Sequence, residues 1–381
     1  MSRSKITSAS IEDSTIAAKD IASGAVEDAM VTPSGRRNLI INGAMQVAQR
    51  GTSFTQANPG TSSFYYLDRF KMQSDLPPIT YVVDKSSDVP AGSGFSNCFK
   101  VTVTSPASSF PDASGRYFRI RQSLEAQDVR HLVNKTVTLS FWVKSSVVGQ
   151  FDVTFFAQDS SSNHYVVPYN IDSANTWEKK EITFTGPATI NNDTGMGLDI
   201  QWQLARAGTN YQTTSTEVWG PTRLSSTTST ADVATTANAT FQLTGVQLEV
   251  GSVATPFEHR SYGEELARCQ RYYYQKGGGG GKLIGTASTV SSSELAVYVP
   301  LPTSMRTIPS VSYDGLSDYE FRRGDNTQVT LSASSLGTGS STPEQMLMWF
   351  AGVGSIGQNQ MGFLRVRSGT GTHYFYFDAE L

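Results

Sequence analysis

The chain has 381 residues, with 30 Lys and Arg against 33 Asp and Glu, a net charge of −3 and only 17 % charged residues, where about 25 % is usual. Uncharged polar residues fill the deficit: 33 Gly, and 88 Ser and Thr together. Such weak charge offers no footprint for gripping a polyphosphate, no apolar run is long enough for a membrane span, and the opening MSRSKITSAS lacks a signal-peptide core. Nucleic acid, membrane insertion and secretory export are therefore not expected. Ser, Thr and Gly are poor helix formers, whereas Thr, Tyr, Phe and Val suit strands, so the starting expectation is an all-β protein of two or three domains.

Residues 1–37 carry an unusual period. Ile6, Ile11, Ile16, Ile21, Val26 and Val31 recur every five residues, separated by Ala, Ser and Asp. Five helical steps turn the face by about 140° and five strand steps reverse it, so neither element collects the six aliphatics on one side. Three chains wound about a common axis would bury them layer by layer. The alternative is an arm that orders only on docking. Both readings make this an attachment or trimerisation segment.

From residue 38 to about 260 the texture is that of strands. ITYVVD, NCFKVTVT, RYFRIRQSL, TVTLSFWVK, QFDVTFFAQ, WEKKEITFTG, GLDIQWQLA and ATFQLTGVQLEV all alternate. In TVTLSFWVK, Val137, Leu139, Phe141 and Val143 share one face, and Thr138, Ser140, Trp142 and Lys144 the other. In the last segment the apolar phase switches at Gly245, which predicts a β-bulge. Eight or more such strands predict a jelly-roll-like sandwich. The polar stretch from Thr227 to Thr240 reads as a long surface loop.

Ser261 and Glu264 form a capping-box pattern that opens a helix in SYGEELARCQRYYYQK, and Gly277–Gly281 read as a linker, so residues 261–281 are assigned to a linking helix and glycine linker. Lys276 and Leu283 stand where a phosphate-binding loop needs Gly and Ser or Thr, so that reading fails. Residues 282–381 give seven or eight short strands, a second sandwich expected to be the receptor-facing tip. In its last strand His373, Phe375, Phe377 and Ala379 are expected inside, with Tyr374, Tyr376, Asp378 and Glu380 outside.

Two stretches carry more than β texture. RRNLIINGAMQVAQRGTSF with YYLDRF, and TFQLTGVQLEVGSVATPFEHRSYGEELARCQRYYYQ, resemble the opening and close of a sandwich domain of bacteriophage tail-fibre and virion structural proteins. The five-residue repeat is similar to the shaft-like repeats of phage fibres, and TSMRTIPSV fits a distal sandwich. Since such domains are related in architecture to carbohydrate-binding jelly rolls, the resemblance implies a homotrimer on the virion, made in the host cytoplasm. It would be held to a tail, baseplate or collar protein and touch host surface polysaccharide. It supplies no catalytic residues and no cofactor.

The residues themselves point the same way. His131, His164, His259 and His373 are isolated from any metal-ligand spacing, and Cys98 and Cys269 from any disulfide or zinc motif. Asp152, Asp159, Glu178, Glu181, Asp193 and Asp199 could supply a glycosidase pair, but nothing in the sequence selects one. Sugar binding needs aromatic faces flanked by amides. Trp142, Gln201 and Gln203, on the faces opposite the apolar sets, and Tyr374 with Tyr376 near the end are the glycan-binding candidates; the alternative for each aromatic is packing against a loop or a trimer partner. The function expected is adhesion, with a tail-associated polysaccharide-degrading enzyme or a non-adhesive decoration protein as alternatives.

Overall fold

The computed structural model describes residues 37–57, 63–75, 78–108, 117–161, 163–220 and 224–381. The six repeat positions Ile6, Ile11, Ile16, Ile21, Val26 and Val31 lie outside them. The protein is all-β, with two sandwiches and one helix longer than a single turn among the described residues.

The first sandwich contains β1 (Ser53–Ala57), β2 (Ser63–Leu67), β3 (Phe70–Ser74), β4 (Thr80–Ser86), β5 (Cys98–Ser105), β6 (Phe118–Glu125), β7 (Thr136–Ser145), β8 (Gly149–Phe156), β9 (His164–Ile171), β10 (Glu178–Thr185) and β11 (Met196–Gln203). After the two-residue strands β12 (Gln212–Thr213) and β13 (Ser226–Thr227) comes β14 (Thr240–Val250). Two six-stranded antiparallel sheets result, ordered β1-β4-β5-β14-β7-β10 and β2-β3-β6-β11-β8-β9. Alternation dictates what meets between them. Val137, Leu139, Phe141 and Val143 of β7 face Leu198, Ile200 and Trp202 of β11 across one core, where the Trp202 ring lies 5.9 Å from Phe141 and 6.3 Å from Phe70.

The phase switch in β14 is a bulge: the register with β7 slips between Thr244 and Gln247, and Gly245 sits there at φ +60°. The segment after β13 is less superficial than its polarity suggests. Val233, Ala234 and Ala239 are buried in the core, and Thr227 and Thr230 are buried against Asp152. Hydroxyls make this possible, because they pair with a buried carboxylate that apolar side chains could not satisfy.

The two stretches that bracket the first sandwich in sequence meet in space. Asn38 Nδ2 donates to Val246 O (3.0 Å), Leu248 N donates to Asn38 Oδ1 (3.1 Å), and Asn42 N donates to Glu265 Oε1 (2.7 Å). Glu265 belongs to α2 (Tyr262–Gln270), which follows the single-turn α1 (Ala126–Val129) in chain order. Ser261 caps α2 by accepting from Glu264 N (3.3 Å).

The helix stops at Gln270, and of the glycines read as a linker Gly277–Gly279 end a strand while Gly280 and Gly281 form the turn after it. The second sandwich holds β15 (Tyr273–Gly279), β16 (Leu283–Thr289), β17 (Glu294–Pro300), β18 (Ser310–Tyr313), β19 (Tyr319–Arg323), β20 (Gln328–Thr330), β21 (Ser335–Gly337), β22 (Gln345–Ala351), β23 (Met361–Val366) and β24 (Thr372–Asp378). A three-stranded sheet β15-β24-β18 packs on a seven-stranded sheet β20-β19-β23-β16-β17-β22-β21. Gly277 pairs with Tyr374, and a Cβ on it would lie 2.1 Å from His373 O. Close approach of two backbones is what Gly277 supplies.

Candidate functional site

The outer face of the β2-β3-β6-β11-β8-β9 sheet is a polar lattice. In β11 the residues that alternate with the core side chains are Asp199, Gln201 and Gln203; in β6 they are Arg119, Arg121 and Ser123. Antiparallel register aligns them in rows: Gln73, Arg119, Gln203, Asp152 and Pro168; then Lys71, Arg121, Gln201, Thr154 and Val166; then Ser123, Asp199, Phe156 and His164.

The segment joining β11 to β14 roofs one end of this lattice. Thr154 Oγ1 donates to Ser225 O (2.5 Å), Thr227 N donates to Asp152 Oδ2 (2.7 Å), and the Thr230 hydroxyl binds the same carboxylate. Beside the roof remains a cavity of about 230 Å³, lined by Gln73, Tyr117, Arg119, Arg121, Phe156, Gln158, His164, Met196, Gln201, Tyr211 and Ser225.

Its floor is tied into one network. Arg119 Nη1 donates to Gln201 Oε1 (2.5 Å), and Arg121 holds Asp199 Oδ2 through Nε (2.9 Å) and Nη2 (2.7 Å). Ser123 Oγ and Gln201 Nε2 donate to the same carboxylate at 2.8 and 2.6 Å. Burial pushes the Asp199 carboxyl up, but Arg121, Lys71 and Arg119 outweigh it and hold it below the ordinary carboxylate range. Burial, reinforced by Arg121, lowers Lys71 to about 8. The Arg119 guanidinium lies over the Tyr117 ring at 4.0 Å, and the Phe156 and His164 rings stand 4.6 Å apart. The cavity thus combines ring faces with amide and guanidinium donors held in fixed positions.

Gln201 and Gln203, two of the sequence candidates, lie on this face; Gln201 lines the cavity, whereas Gln203 is buried under the roof. Trp142 is on the outer face of the other sheet, opposite Thr244 and Lys179, so both sheets separate it from Gln201. Tyr374 and Tyr376 are in the second sandwich, their rings 6.2 Å apart and Tyr376 Oη bonded to Asp314 at 3.0 Å. The five candidates therefore occupy three separate surfaces. Sequence reasoning passed over Gln73, Tyr117, Arg119, Arg121, Tyr211 and Ser225. The two arginines carried a usable signal, since RYFRIRQSL alternates cations with core residues; Tyr211 and Ser225 come from an irregular segment that carries none.

The six carboxylates considered for hydrolysis have other partners or are far apart. Asp152 is tied to the roof, Asp199 to Arg121, Asp159 to Asn191, Asp193 to Gly195 N, Glu181 to Lys179, and Glu178 to Lys180 and Ser173 N. Asp152 and Asp199 share a face, but Gln203 opposes Asp152 four residues beyond Asp199 in β11. That is about 14 Å along the strand, wider than the roughly 5–9.5 Å of glycosidase pairs. Among the described residues no group of three or more His, Cys, Asp or Glu is placed to hold a metal ion, and no helix is long and apolar enough to cross a membrane.

No family model matches the sequence, and no curated protein matches it significantly. Solved structures do show likeness. The enzymatically active domain of tailspike protein 4 from bacteriophage CBA120 is 14 % identical over 56 % of this chain, with a TM-score of 0.31, the match spanning 22 % of that domain's chain. A CBM4 module is 14 % identical over 55 % of this chain and 98 % of its own, with a TM-score of 0.29. The C-terminal family 22 carbohydrate-binding module of Clostridium thermocellum Xyn10B is 10 % identical over 59 % of this chain and 99 % of its own, also at 0.29.

Proposed function

We propose that this chain is a phage fibre-type adhesin that contacts host surface saccharide through the cavity on the first sandwich. One observation carries the reading: amide and guanidinium side chains of Gln73, Arg119, Arg121 and Gln201 are held in a fixed network in a cavity also lined by the rings of Tyr117, Tyr211, Phe156 and His164. Saccharides need that combination, donors and acceptors for hydroxyls with ring faces for C–H surfaces. Residues 1–37 would dock to a tail, baseplate or collar protein and trimerise, as their five-residue period suggests. Three linked sites would then give avidity to a contact that is weak singly. Trp142 and the Tyr374 and Tyr376 pair are candidates for further contacts on other faces. The role is binding, in keeping with the separation of Asp152 and Asp199.

The test is a glycan array followed by calorimetry on the full chain. A saccharide should bind, and Tyr211→Ala should weaken it about tenfold, the worth of one lost ring contact, without moving the melting temperature. Failure of array and cell-adsorption assays alike would overturn the adhesin reading in favour of a decoration protein. Release of oligosaccharides from host polysaccharide would overturn it in favour of an enzyme. Deleting residues 1–36 should abolish virion incorporation, and particles that still carry the truncated chain would refute the docking role.

A further inference from the structure

Two guanidinium groups in the cavity converge on one neutral oxygen. Gln73 Oε1 accepts from Arg119 Nε (3.0 Å) and Nη2 (2.8 Å) and from Arg121 Nη1 (2.7 Å). Three charge-carrying donors thus share an amide oxygen that bears only a partial negative charge. Register places a third cation, Lys71, beside Arg121. Asp199 lies under Arg121, and Lys71, on which Asp199 and Glu380 act, is held by Leu381 O (2.7 Å) and Tyr65 Oη (3.2 Å), so the two guanidinium groups are the cations that converge on Gln73. Like charges this close repel, and the fork of a guanidinium matches the oxygens of a carboxylate, sulfate or phosphate far better than a single amide carbonyl. The Gln73 side chain is also releasable: it is half-buried, and among the described residues its other side-chain bond runs from Nε2 to Tyr117 Oη (2.9 Å), a hydroxyl that becomes available to a ligand if the amide swings away.

We propose that the cavity selects an acidic saccharide, whose anionic group takes the position of Gln73 Oε1 between Arg119 and Arg121. This rests on the saccharide reading above and sharpens it to a ligand class.

The decisive variant is Gln73→Glu, which builds the anion into the site from within, keeps the acceptor for both guanidinium groups and replaces the Nε2 donor to Tyr117 Oη by an oxygen to which that hydroxyl can donate. Full-length protein is titrated with polygalacturonate and its fully methyl-esterified form, and with dextran sulfate and dextran. The acidic member of at least one pair should bind at least tenfold more tightly than its neutral partner, with affinity falling as salt rises; which pair responds distinguishes carboxylate from sulfate. Gln73→Glu should abolish that preference with an unchanged or higher melting temperature, whereas Gln358→Glu, the same charge change on an exposed loop of the second sandwich, should preserve it. Equal binding of acidic and neutral forms overturns the inference while the saccharide reading stands. Retention of the preference by Gln73→Glu, or its loss in Gln358→Glu, also overturns it by showing general polyanion attraction. If no acidic probe binds, the inference falls, and the saccharide reading then depends on the array alone.

Discussion

Arg69 and Glu380, 311 residues apart in sequence, form an ion pair sealed between the two sandwiches. The Arg69 side chain has no exposed surface and Glu380 has 5 %. Arg69 also donates to Ser123 O and lies over the Tyr272 ring at 3.4 Å, and Arg50 reaches Glu380 at 3.3 Å. Arg306 holds the backbone beside it, donating to Ala379 O (2.7 Å) and Glu380 O (2.9 Å), and extends to Thr194 O of the first sandwich (2.9 Å). The end of the second sandwich is thereby built into the first.

Removing one partner of a buried pair strands the other charge, which costs about 3–5 kcal/mol. Glu380→Leu should lower unfolding stability in urea by about that amount. The double variant Arg69→Met with Glu380→Leu should recover much of the loss, because apolar replacements leave no uncompensated charge. A single-variant loss below about 1 kcal/mol would show that the pair behaves as an exposed one.

Acid stability should depend on a second contact across the seam. Arg271, just past α2, holds Glu125 at 2.7 and 2.8 Å. Burial raises the Glu125 pKa, but Arg271 outweighs it and leaves it below normal, as Arg121 does for Asp199. A carboxylate with a depressed folded pKa contributes its stability above its unfolded value, about 4, and loses it as pH falls through the folded value. The melting temperature should therefore drop steeply below pH 4. Arg271→Gln should cost about 2 kcal/mol at pH 7 and show a shallower acid limb; an unchanged limb would remove Glu125 from the account.

The bulge in β14 requires glycine. Gly245 has φ +60°, and a Cβ there would meet Phe95 Cζ at 2.5 Å and Trp142 Cδ1 at 3.0 Å. Gly245→Ala combines a left-handed backbone with two ring clashes and should destabilise by about 2 kcal/mol or more. Gly263→Ala, where a Cβ would meet nothing within 4 Å, is the matched control and should be neutral or stabilising. Equal melting temperatures for the two variants would contradict the argument.

Cys98 and Cys269 are free and buried, and burial raises both thiol pKa values, Cys98 to about 12. Reactive thiolates are scarce under those conditions. A thiol-specific chromogenic reagent should label neither residue in the native protein at pH 8 and both in urea. Rapid native labelling of Cys269 would show that α2 opens readily from the first sandwich.

Local chemistry carried much of the fold. Period-two alternation in TVTLSFWVK and GLDIQWQLA separates an apolar from a polar face, and Leu198, Ile200 and Trp202 of the latter lie in the core. The phase break at Gly245 marked the bulge, and Ser261 marked the start of α2. Strands without clean alternation were missed: β3, buried at nearly every position, and β9, which contains Pro168. Gly277–Gly279 read as a linker but pair with β24, where Gly277 meets the facing backbone, and nothing in the run itself names that neighbour.

The sequence by itself determined which residues lie on an apolar face, because alternation and capping depend on a few adjacent side chains. Only the tertiary structure decided what those faces meet. Glu380 alternates outward with Tyr374, Tyr376 and Asp378, yet it is buried because Arg69 awaits it in the other sandwich. Gln73, Arg119 and Gln201 come from three strands spread over more than a hundred residues, and they form one site because β3, β6 and β11 are neighbours in register. Strand pairing is a long-range choice, settled when the whole core closes, and the chemistry of the cavity follows from it.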